Sequence, residues 1–212
     1  MTSILCFGDS NTYGLVPATD ERYAFCERYP GVIQQRLGDA CRVAEEGLVG
    51  RTTVYPDHRY GRRGIEFLPV CLETHAPLDY LVIMLGTNDC KACNARSARE
   101  AAEALEQLLE VAERMLPPQT AVVLVSPILL DPDVFRMDAA FDRNSVAVSR
   151  GLAREYEGLA RRHGCLFLNA ADYAGASPTD GQHMDVRGHR QLGAALAELI
   201  RQDAVRRANK TA

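Results

Sequence analysis

Residues 4–14 read Ile-Leu-Cys-Phe-Gly-Asp-Ser-Asn-Thr-Tyr-Gly, four apolar residues followed at once by a small polar turn. A short apolar run that ends in such a turn is typical of a buried strand leading into a helix. Ser10 would then stand at the carboxyl edge of a sheet, beside the unpaired N–H groups of a helix start. Because an isolated Gly-Asp-Ser tripeptide is more often a turn or helix cap, the role of Ser10 depends on the rest of the chain.

The remaining pattern predicts alternating strands and helices. Apolar runs predict strands at Ile4–Phe7, Arg42–Glu45, Leu81–Leu85, Ala121–Val125 and Cys165–Leu168. Helical periodicity covers Ala98–Ala112, Phe141–Arg162 and a segment starting near Val186, with Pro117-Pro118 and Gly164 as stop signals. This order predicts a doubly wound α/β/α sandwich with a five-stranded parallel sheet, flavodoxin-like, formed by residues 1–212 as a single domain. Ligands of such folds bind beyond the carboxyl ends of the strands, where the loops 15–29 and 54–64 are expected to lie.

The amino-acid composition disfavours nucleic acids and membranes as binding partners. The 212 residues are 47% hydrophobic and 25% charged, with a net charge of −4, so no positive field favours nucleic acid or an anionic membrane. No apolar run approaches the ~18 residues of a membrane span, and the N-terminus lacks signal-peptide features. Seven irregularly spaced cysteines favour free thiols and hence a cytoplasmic location. A small molecule is the expected partner, and self-association into a homo-oligomer stays open.

A base for Ser10 is available near the C-terminal end of the chain. In the sequence Asp-Gly-Gln-His, Asp180 can accept a hydrogen bond from His183 Nδ1 while Nε2 of the same ring faces Ser10. A nucleophilic serine needs such a base, and the base needs an orienting acceptor. His189 with Asp185 is the rival pair, but His189 falls inside a predicted helix that would turn it away from the strand ends. Ser10, Asp180 and His183 are therefore the predicted catalytic residues.

Two further segments offer donors for an oxyanion. Asn88 follows the strand at 81–85, and Gly47 follows the strand at 42–45. A glycine lets a backbone N–H approach a substrate closely because no Cβ blocks it. We expect Ser10 N–H, Gly47 N–H and Asn88 Nδ2 to form an oxyanion hole.

These segments together resemble a known family. Phe-Gly-Asp-Ser-Asn around Ser10, Glu-Gly-Leu-Val-Gly-Arg-Thr-Thr at Gly47, Met-Leu-Gly-Thr-Asn-Asp at Asn88 and Asp-Gly-Gln-His at His183 are similar, in order, to the four blocks of the SGNH (GDSL-like) hydrolase superfamily. The opening segment most resembles the bacterial arylesterase/acyltransferase branch. The resemblance implies ester hydrolysis or acyl transfer through an acyl-serine, with no metal or organic cofactor. Asn11 stands where the common motif has leucine, and Met184 stands where proline is frequent.

Substrate preference is predicted from loop position alone. Side chains expected near the pocket suit a small acyl group or an aromatic alcohol; they are Asn11, Tyr13, Val16, Phe25, Tyr55, Ile128, Leu129 and Phe135. Cys90 and Cys93 form a Cys-x-x-Cys pair without a second pair nearby, so a zinc or redox role is disfavoured.

Alternatives to an arylesterase remain open at this stage. The same fold supports thioesterase, lysophospholipase or carbohydrate O-deacetylase activity. The lack of signal-peptide features argues against an exported polysaccharide deacetylase, and the lack of a basic amphipathic helix argues against a lipid-surface enzyme. A catalytically silent binding protein would be expected to have lost a triad residue. A phosphate-binding flavodoxin-like module leaves Asp180, His183 and Asn88 without a role.

Overall fold

A five-stranded parallel sheet forms the centre of the computed structural model, which describes residues 1–95 and 97–211. The strands are β1 (Thr2–Gly8), β2 (Cys41–Gly47), β3 (Tyr80–Met84), β4 (Ala121–Ser126) and β5 (Leu166–Asn169). Their order is β2-β1-β3-β4-β5, and every neighbouring pair is parallel. The chain passes from β1 to β2 on one side and later to β3 on the other, so the topological switch point lies at the carboxyl end of β1.

Helices cover both faces of the sheet and confirm the predicted α/β/α architecture. They are α1 (Ser10–Tyr13), α2 (Tyr29–Leu37), α3 (Gly64–His75), α4 (Ala98–Met115), α5 (Val134–Met137), α6 (Arg143–Arg162) and α7 (Val186–Thr211). Short 3-10 turns lie at Phe25–Glu27, Gly38–Ala40, Asn88–Cys90 and Ala170–Asp172.

Alternation along the strands divides the apolar core into two layers. In β1, Leu5 and Phe7 pack with α3, α4 and α6, whereas Ile4 and Cys6 pack with α2 and α7. All four side chains are fully buried. A strand covered on both faces is apolar at every position, which explains the unbroken run in the sequence.

The sequence pattern does not predict α2, α3 or the short α5. α3 contains Pro69, and proline inside a helix removes one backbone hydrogen bond, so the sequence pattern there resembles a break. α2 begins at Tyr29, directly before Pro30, where proline is tolerated because the first N–H groups of a helix have no partner. Tyr29, the last residue of the predicted loop 15–29, is buried against α7.

The turn from β1 into α1 depends on Gly8. A Cβ at this position would lie 1.9 Å from Thr12 Oγ1 and 2.6 Å from the carbonyl oxygen of Met84. Glycine therefore allows α1 to fold back over the edge of the sheet. Ser10 consequently lies at the carboxyl end of β1, next to the switch point.

Within the described residues, no helix combines the length and apolar character that a membrane crossing requires.

Candidate active site

Ser10 is the first residue of α1, and Asp9 caps this short helix. The Asp9 carboxylate accepts a hydrogen bond from Asn11 N–H at 2.9 Å. The Ser10 N–H, at the start of the helix, has no intrahelical acceptor and stays free to donate elsewhere. Ser10 is nearly buried, with 4% of the residue exposed.

Ser10, His183 and Asp180 form one hydrogen-bonded chain. His183 Nε2 lies 2.9 Å from Ser10 Oγ, and His183 Nδ1 lies 2.7 Å from Asp180 Oδ2. Both contacts are within the distances expected of a nucleophile, its base and the acceptor that orients the base. The three residues come from opposite ends of the sequence, 173 positions apart for Ser10 and His183.

Asp180 is held by four donors. Its Oδ1 accepts the N–H groups of Gln182 and His183, both at 3.1 Å, while Oδ2 accepts Ala18 N–H at 2.9 Å together with His183 Nδ1. Burial opposes ionisation, but the His183 ring and the two backbone N–H groups at Oδ1 outweigh it and lower the pKa of Asp180 to about 2. Asp180 is therefore an anion at neutral pH, as the acceptor for a protonated imidazole must be.

The rival base, His189, lies on α7 and faces away from the serine. It is fully buried, with its ring stacked on Tyr29 and edge-on to Tyr23. Its Nδ1 lies 3.4 Å from Tyr29 N. Burial lowers the pKa of His189 to about 4. Asp185, the rival acceptor, accepts instead from Gly188 N–H at the start of α7.

Asn88 and Gly47 lie at the same sheet edge as Ser10. Asn88 Nδ2 donates to the Arg51 carbonyl oxygen at 3.1 Å, which fixes the orientation of the amide and leaves its second N–H free. A Cβ on Gly47 would lie 2.1 Å from Tyr13 N, so the Gly47 backbone packs directly against α1. Arg51 itself donates to the carbonyl oxygens of Gly8 and Glu46 and joins the ends of β1 and β2. Sequence analysis missed this bracing role, because only the fold brings Arg51 to both strand ends.

Replacing Asn88 by alanine tests the oxyanion assignment. We expect kcat for a short ester to fall by about 10²–10³-fold with little change in KM, because the lost N–H would act mainly on the developing negative charge. Asn94→Ala is the matched control: Asn94 Nδ2 donates to the Asn88 carbonyl oxygen at 2.9 Å and lies in the same loop. Equal losses in both variants would show that Asn88 matters only for loop structure.

The predicted substrate-binding residues make other contacts in the structure, and their role toward a substrate stays a prediction. Asn11 Nδ2 donates to the Gln182 carbonyl oxygen at 3.1 Å, and Asn11 Oδ1 accepts Met184 N–H at 2.9 Å. The nitrogen and the oxygen of the Asn11 amide thus both bind the loop that carries His183. Ile128 belongs to the buried core, and Phe135 lines a separate cavity between Arg136 and Arg143.

Tyr13 and Val16 also lie outside the cleft beside the triad. The Arg22 guanidinium covers the Tyr13 ring at 4.2 Å, and Val16 N–H donates to the Glu21 carbonyl oxygen. The cleft has a volume of about 370 Å³ and polar as well as apolar walls, formed by Leu15, Ala18, Thr19, Met137, Asp138, Ala139, Thr179, Asp180, Gln182 and His183. Gln182 Nε2 donates to Asp138 Oδ2 at 3.0 Å across this wall. The walls of the cleft therefore combine apolar side chains with hydroxyl, amide and carboxylate groups.

A second buried carboxyl group, Asp89, lies directly after Asn88. It accepts hydrogen bonds from the N–H and the hydroxyl of Thr53 and is fully buried. Burial raises the pKa of Asp89 to about 6; the Thr53 hydrogen bonds oppose this rise and nearby Asp9 adds to it. Asp89 thus ties the loop after β2 to the loop that presents Asn88.

Asp89→Asn is expected to change how stability depends on pH. A carboxyl group whose pKa is raised on folding contributes stability below its unfolded pKa, here 3.8, and loses it as pH rises through the folded value. Between pH 4 and 7 the free energy of unfolding of the wild type should therefore fall relative to Asp89→Asn by up to about 3 kcal/mol. Denaturant unfolding of both proteins across this range measures the difference. Parallel pH curves would contradict the assignment.

The Cys-x-x-Cys pair is a pair of free thiols. Cys90 is buried and Cys93 is exposed, so the two side chains occupy different environments. Among the residues that the structure describes, no group of three or more His, Cys, Asp or Glu side chains is arranged to hold a metal ion.

The α/β fold places a hydrogen-bonded Ser-His-Asp chain at the carboxyl edge of the sheet, an arrangement that serine hydrolases on several folds share. The chain belongs to the GDSL-like lipase/acylhydrolase family, whose model matches residues 6–191, and it is a carboxylic ester hydrolase of the SGNH type. No curated protein sequence matches it significantly.

Solved structures show the same likeness over nearly the whole chain. An aryl esterase from M. smegmatis is 36% identical, with a TM-score of 0.87 over 95% of this chain and 99% of that one. A carbohydrate acetylesterase family member from Sinorhizobium meliloti is also 36% identical, with a TM-score of 0.87 over 95% and 98% of the two chains. Est24, a carbohydrate acetylesterase from the same organism, is 32% identical, with a TM-score of 0.83 over 95% and 99%.

Proposed function

We propose that this esterase cleaves small carboxylic esters through an acyl-serine formed on Ser10. The observation that carries the proposal is the unbroken chain from Ser10 Oγ to His183 Nε2 at 2.9 Å and from His183 Nδ1 to Asp180 Oδ2 at 2.7 Å. His183 takes the Ser10 proton as Oγ attacks the ester carbonyl carbon, and Asp180 stabilises the imidazolium that forms.

The oxyanion of the tetrahedral intermediate is stabilised by Ser10 N–H, Gly47 N–H and Asn88 Nδ2 in this proposal. The carbon–oxygen bond to the alcohol then breaks, and His183 returns its proton to the departing alkoxide. Water, deprotonated by the same histidine, attacks the acyl-serine and releases the carboxylic acid and Ser10. An alcohol in place of water would yield a new ester, so hydrolysis and acyl transfer share every residue of the site.

The size of the cleft supports a small acyl group or a compact alcohol. At about 370 Å³ and with Asp180 and His183 in its wall, it lies at the lower end of the range for small-molecule sites. The alcohol part of the substrate has two candidate classes. One is an aryl alcohol, as the resemblance to arylesterases suggests, and the other is a polyhydroxylated alcohol. The polar side chains of Thr19, Asp138, Thr179 and Gln182 favour the second, a carbohydrate O-deacetylase, since hydroxyl groups need hydrogen-bond partners when they leave water.

A panel of esters separates these two classes. Rates are measured with p-nitrophenyl acetate, p-nitrophenyl octanoate, glucose pentaacetate and acetyl-CoA, with the Ser10→Ala protein as the blank. We expect acetyl esters to exceed the octanoyl ester by about tenfold or more in kcat/KM, because the longer apolar chain would lie against the polar side chains of Thr19, Asp138 and Gln182. Saturable release of acetate from the sugar would select the deacetylase, whereas turnover of p-nitrophenyl acetate with no release from the sugar would select the arylesterase. Equal rates for acetyl and octanoyl esters, or no turnover of any of them, would contradict the proposal.

A further inference from the structure

The loop between α1 and the 3-10 turn at Phe25–Glu27 reaches across to the far end of the chain. Its base is closed by a bridge between Leu15 and Arg22 and by a hydrogen bond from Val16 N–H to the Glu21 carbonyl oxygen. At its tip, Ala18 N–H donates to Asp180 Oδ2 at 2.9 Å, over a separation of 162 residues. This oxygen is the one that accepts His183 Nδ1.

Ala18 adopts a backbone conformation that an alanine rarely takes. Its φ is +58°, the one positive value among the non-glycine residues that the structure describes. The left-handed region brings Cβ close to the following carbonyl oxygen and is unfavourable for L-residues other than glycine, asparagine and aspartate. Such strain persists where surrounding contacts over-determine it, and it is concentrated at functional sites. The Ala18 side chain is exposed, so core packing does not impose this conformation.

We propose that the Ala18 N–H is a positioning group of the triad, which holds Asp180 Oδ2 in line with His183 Nδ1. Without it, backbone N–H groups would hold the carboxylate at Oδ1 alone, and the one remaining partner of Oδ2 would be the His183 ring that this oxygen has to orient. The histidine would then lose the acceptor that fixes its tautomer and its direction toward Ser10. The inference rests on the proposed function, because it assigns Ala18 a role only if the triad is catalytic.

A backbone ester at position 18 tests this role, because it replaces the N–H by an oxygen and leaves every side chain in place. Cys26 is a free, exposed cysteine, so a synthetic thioester of residues 1–25 can be ligated to residues 26–212 without altering the sequence. The full chain is then refolded. The matched control carries the ester at Tyr23, whose N–H donates to the Gly14 carbonyl oxygen at 2.9 Å in the same loop and does not contact Asp180. An all-amide ligated chain sets the reference.

We expect the ester at position 18 to lower kcat by about tenfold or more, the size of one hydrogen bond to a charged group, with KM within about twofold. The ester at Tyr23 should leave kcat within about twofold of the reference. In addition, the low-field proton resonance of His183 Nδ1 should shift or broaden with the ester at position 18 and stay in place with the ester at Tyr23. A loss of stability alone would affect both esters and would not move this resonance selectively.

A recombinant variant gives an independent test if the ligated chain does not refold. Ala18→Val keeps the N–H but disfavours positive φ strongly, so the N–H should turn away from Asp180 and kcat should again fall by about tenfold. Wild-type kcat and an unmoved resonance in Ala18→Val and in the ester at position 18 would overturn the inference. Ser10→Ala, measured in the same assays, separates this inference from the proposed function. If Ser10→Ala is inactive, the triad stands even where the role of Ala18 fails; if Ser10→Ala is active, the proposed function itself is overturned.

Discussion

Replacing His183 by alanine is expected to lower kcat for p-nitrophenyl acetate by about 10⁴–10⁶-fold. His183 Nε2 is 2.9 Å from Ser10 Oγ. Without the imidazole, neither the proton of the attacking serine nor that of the departing alcohol has a carrier. KM should change little, since the ring acts on the reacting atoms. Steady-state rates with each purified variant give both constants.

His189→Gln is the matched control for this substitution. Glutamine can retain the acceptor that lies near Tyr29 N, so the variant should fold and keep kcat within about threefold of the wild type, although the lost ring packing against Tyr23 and Tyr29 should reduce stability. His163→Gln, on the far side of the molecule between Glu106 and Glu113, is a second control. A large loss in His189→Gln with an active His183→Ala would reverse the assignment of the base.

Asp180→Asn is expected to lower kcat by about 10⁴-fold while preserving the shape of the site. Two backbone N–H groups point at Oδ1, so the asparagine oxygen should take that position and the amide NH₂ should take the position of Oδ2. There it would donate to His183 Nδ1 and force the ring proton onto Nε2, which then cannot accept from Ser10. The NH₂ would also face the Ala18 N–H, donor against donor, which adds a modest loss of stability.

Asp185→Asn is the control for the acid. Asp185 accepts Gly188 N–H at 2.7 Å at the start of α7, and asparagine serves as well as aspartate at such a position. We expect kcat within about threefold of the wild type and a similar midpoint of denaturant unfolding. If Asp180→Asn were as active as Asp185→Asn, the histidine would not depend on Asp180 for its tautomer.

The strands could be predicted, and with them the positions of Ser10, Gly47 and Asn88, because each of these residues comes within a few positions of the end of a predicted strand. Buried parallel strands need apolar residues on both faces, so the strands at Ile4–Phe7 and Leu81–Leu85 can be recognised from their own unbroken apolar runs. Once the strands are ordered, the sheet rule brings Ser10, Gly47 and Asn88 to one edge. The Asp-Gly-Gln-His spacing then supplies a base on a loop that can reach this edge.

The cleft could not be predicted because loops that are far apart in sequence form it. Ala18 reaches Asp180 and Gln182 reaches Asp138 only in the folded chain, and no periodicity records such contacts. The amide of Asn11 looks like a ligand for substrate until its two partners in the loop 182–184 are seen. From sequence alone, an apolar residue such as Ile128 is equally consistent with a pocket wall and with the buried core.

The most direct test of the central claim is to label the protein with a fluorophosphonate, which phosphonylates an activated serine with loss of fluoride. We expect one phosphonyl group per chain, carried by Ser10 in the peptide mass spectrum, and esterase activity that declines in proportion to labelling. His183→Ala should label far more slowly, and Ser10→Ala should not label at this site. Full esterase activity after complete modification of Ser10, or a label on another serine that tracks the loss of activity, would contradict the account.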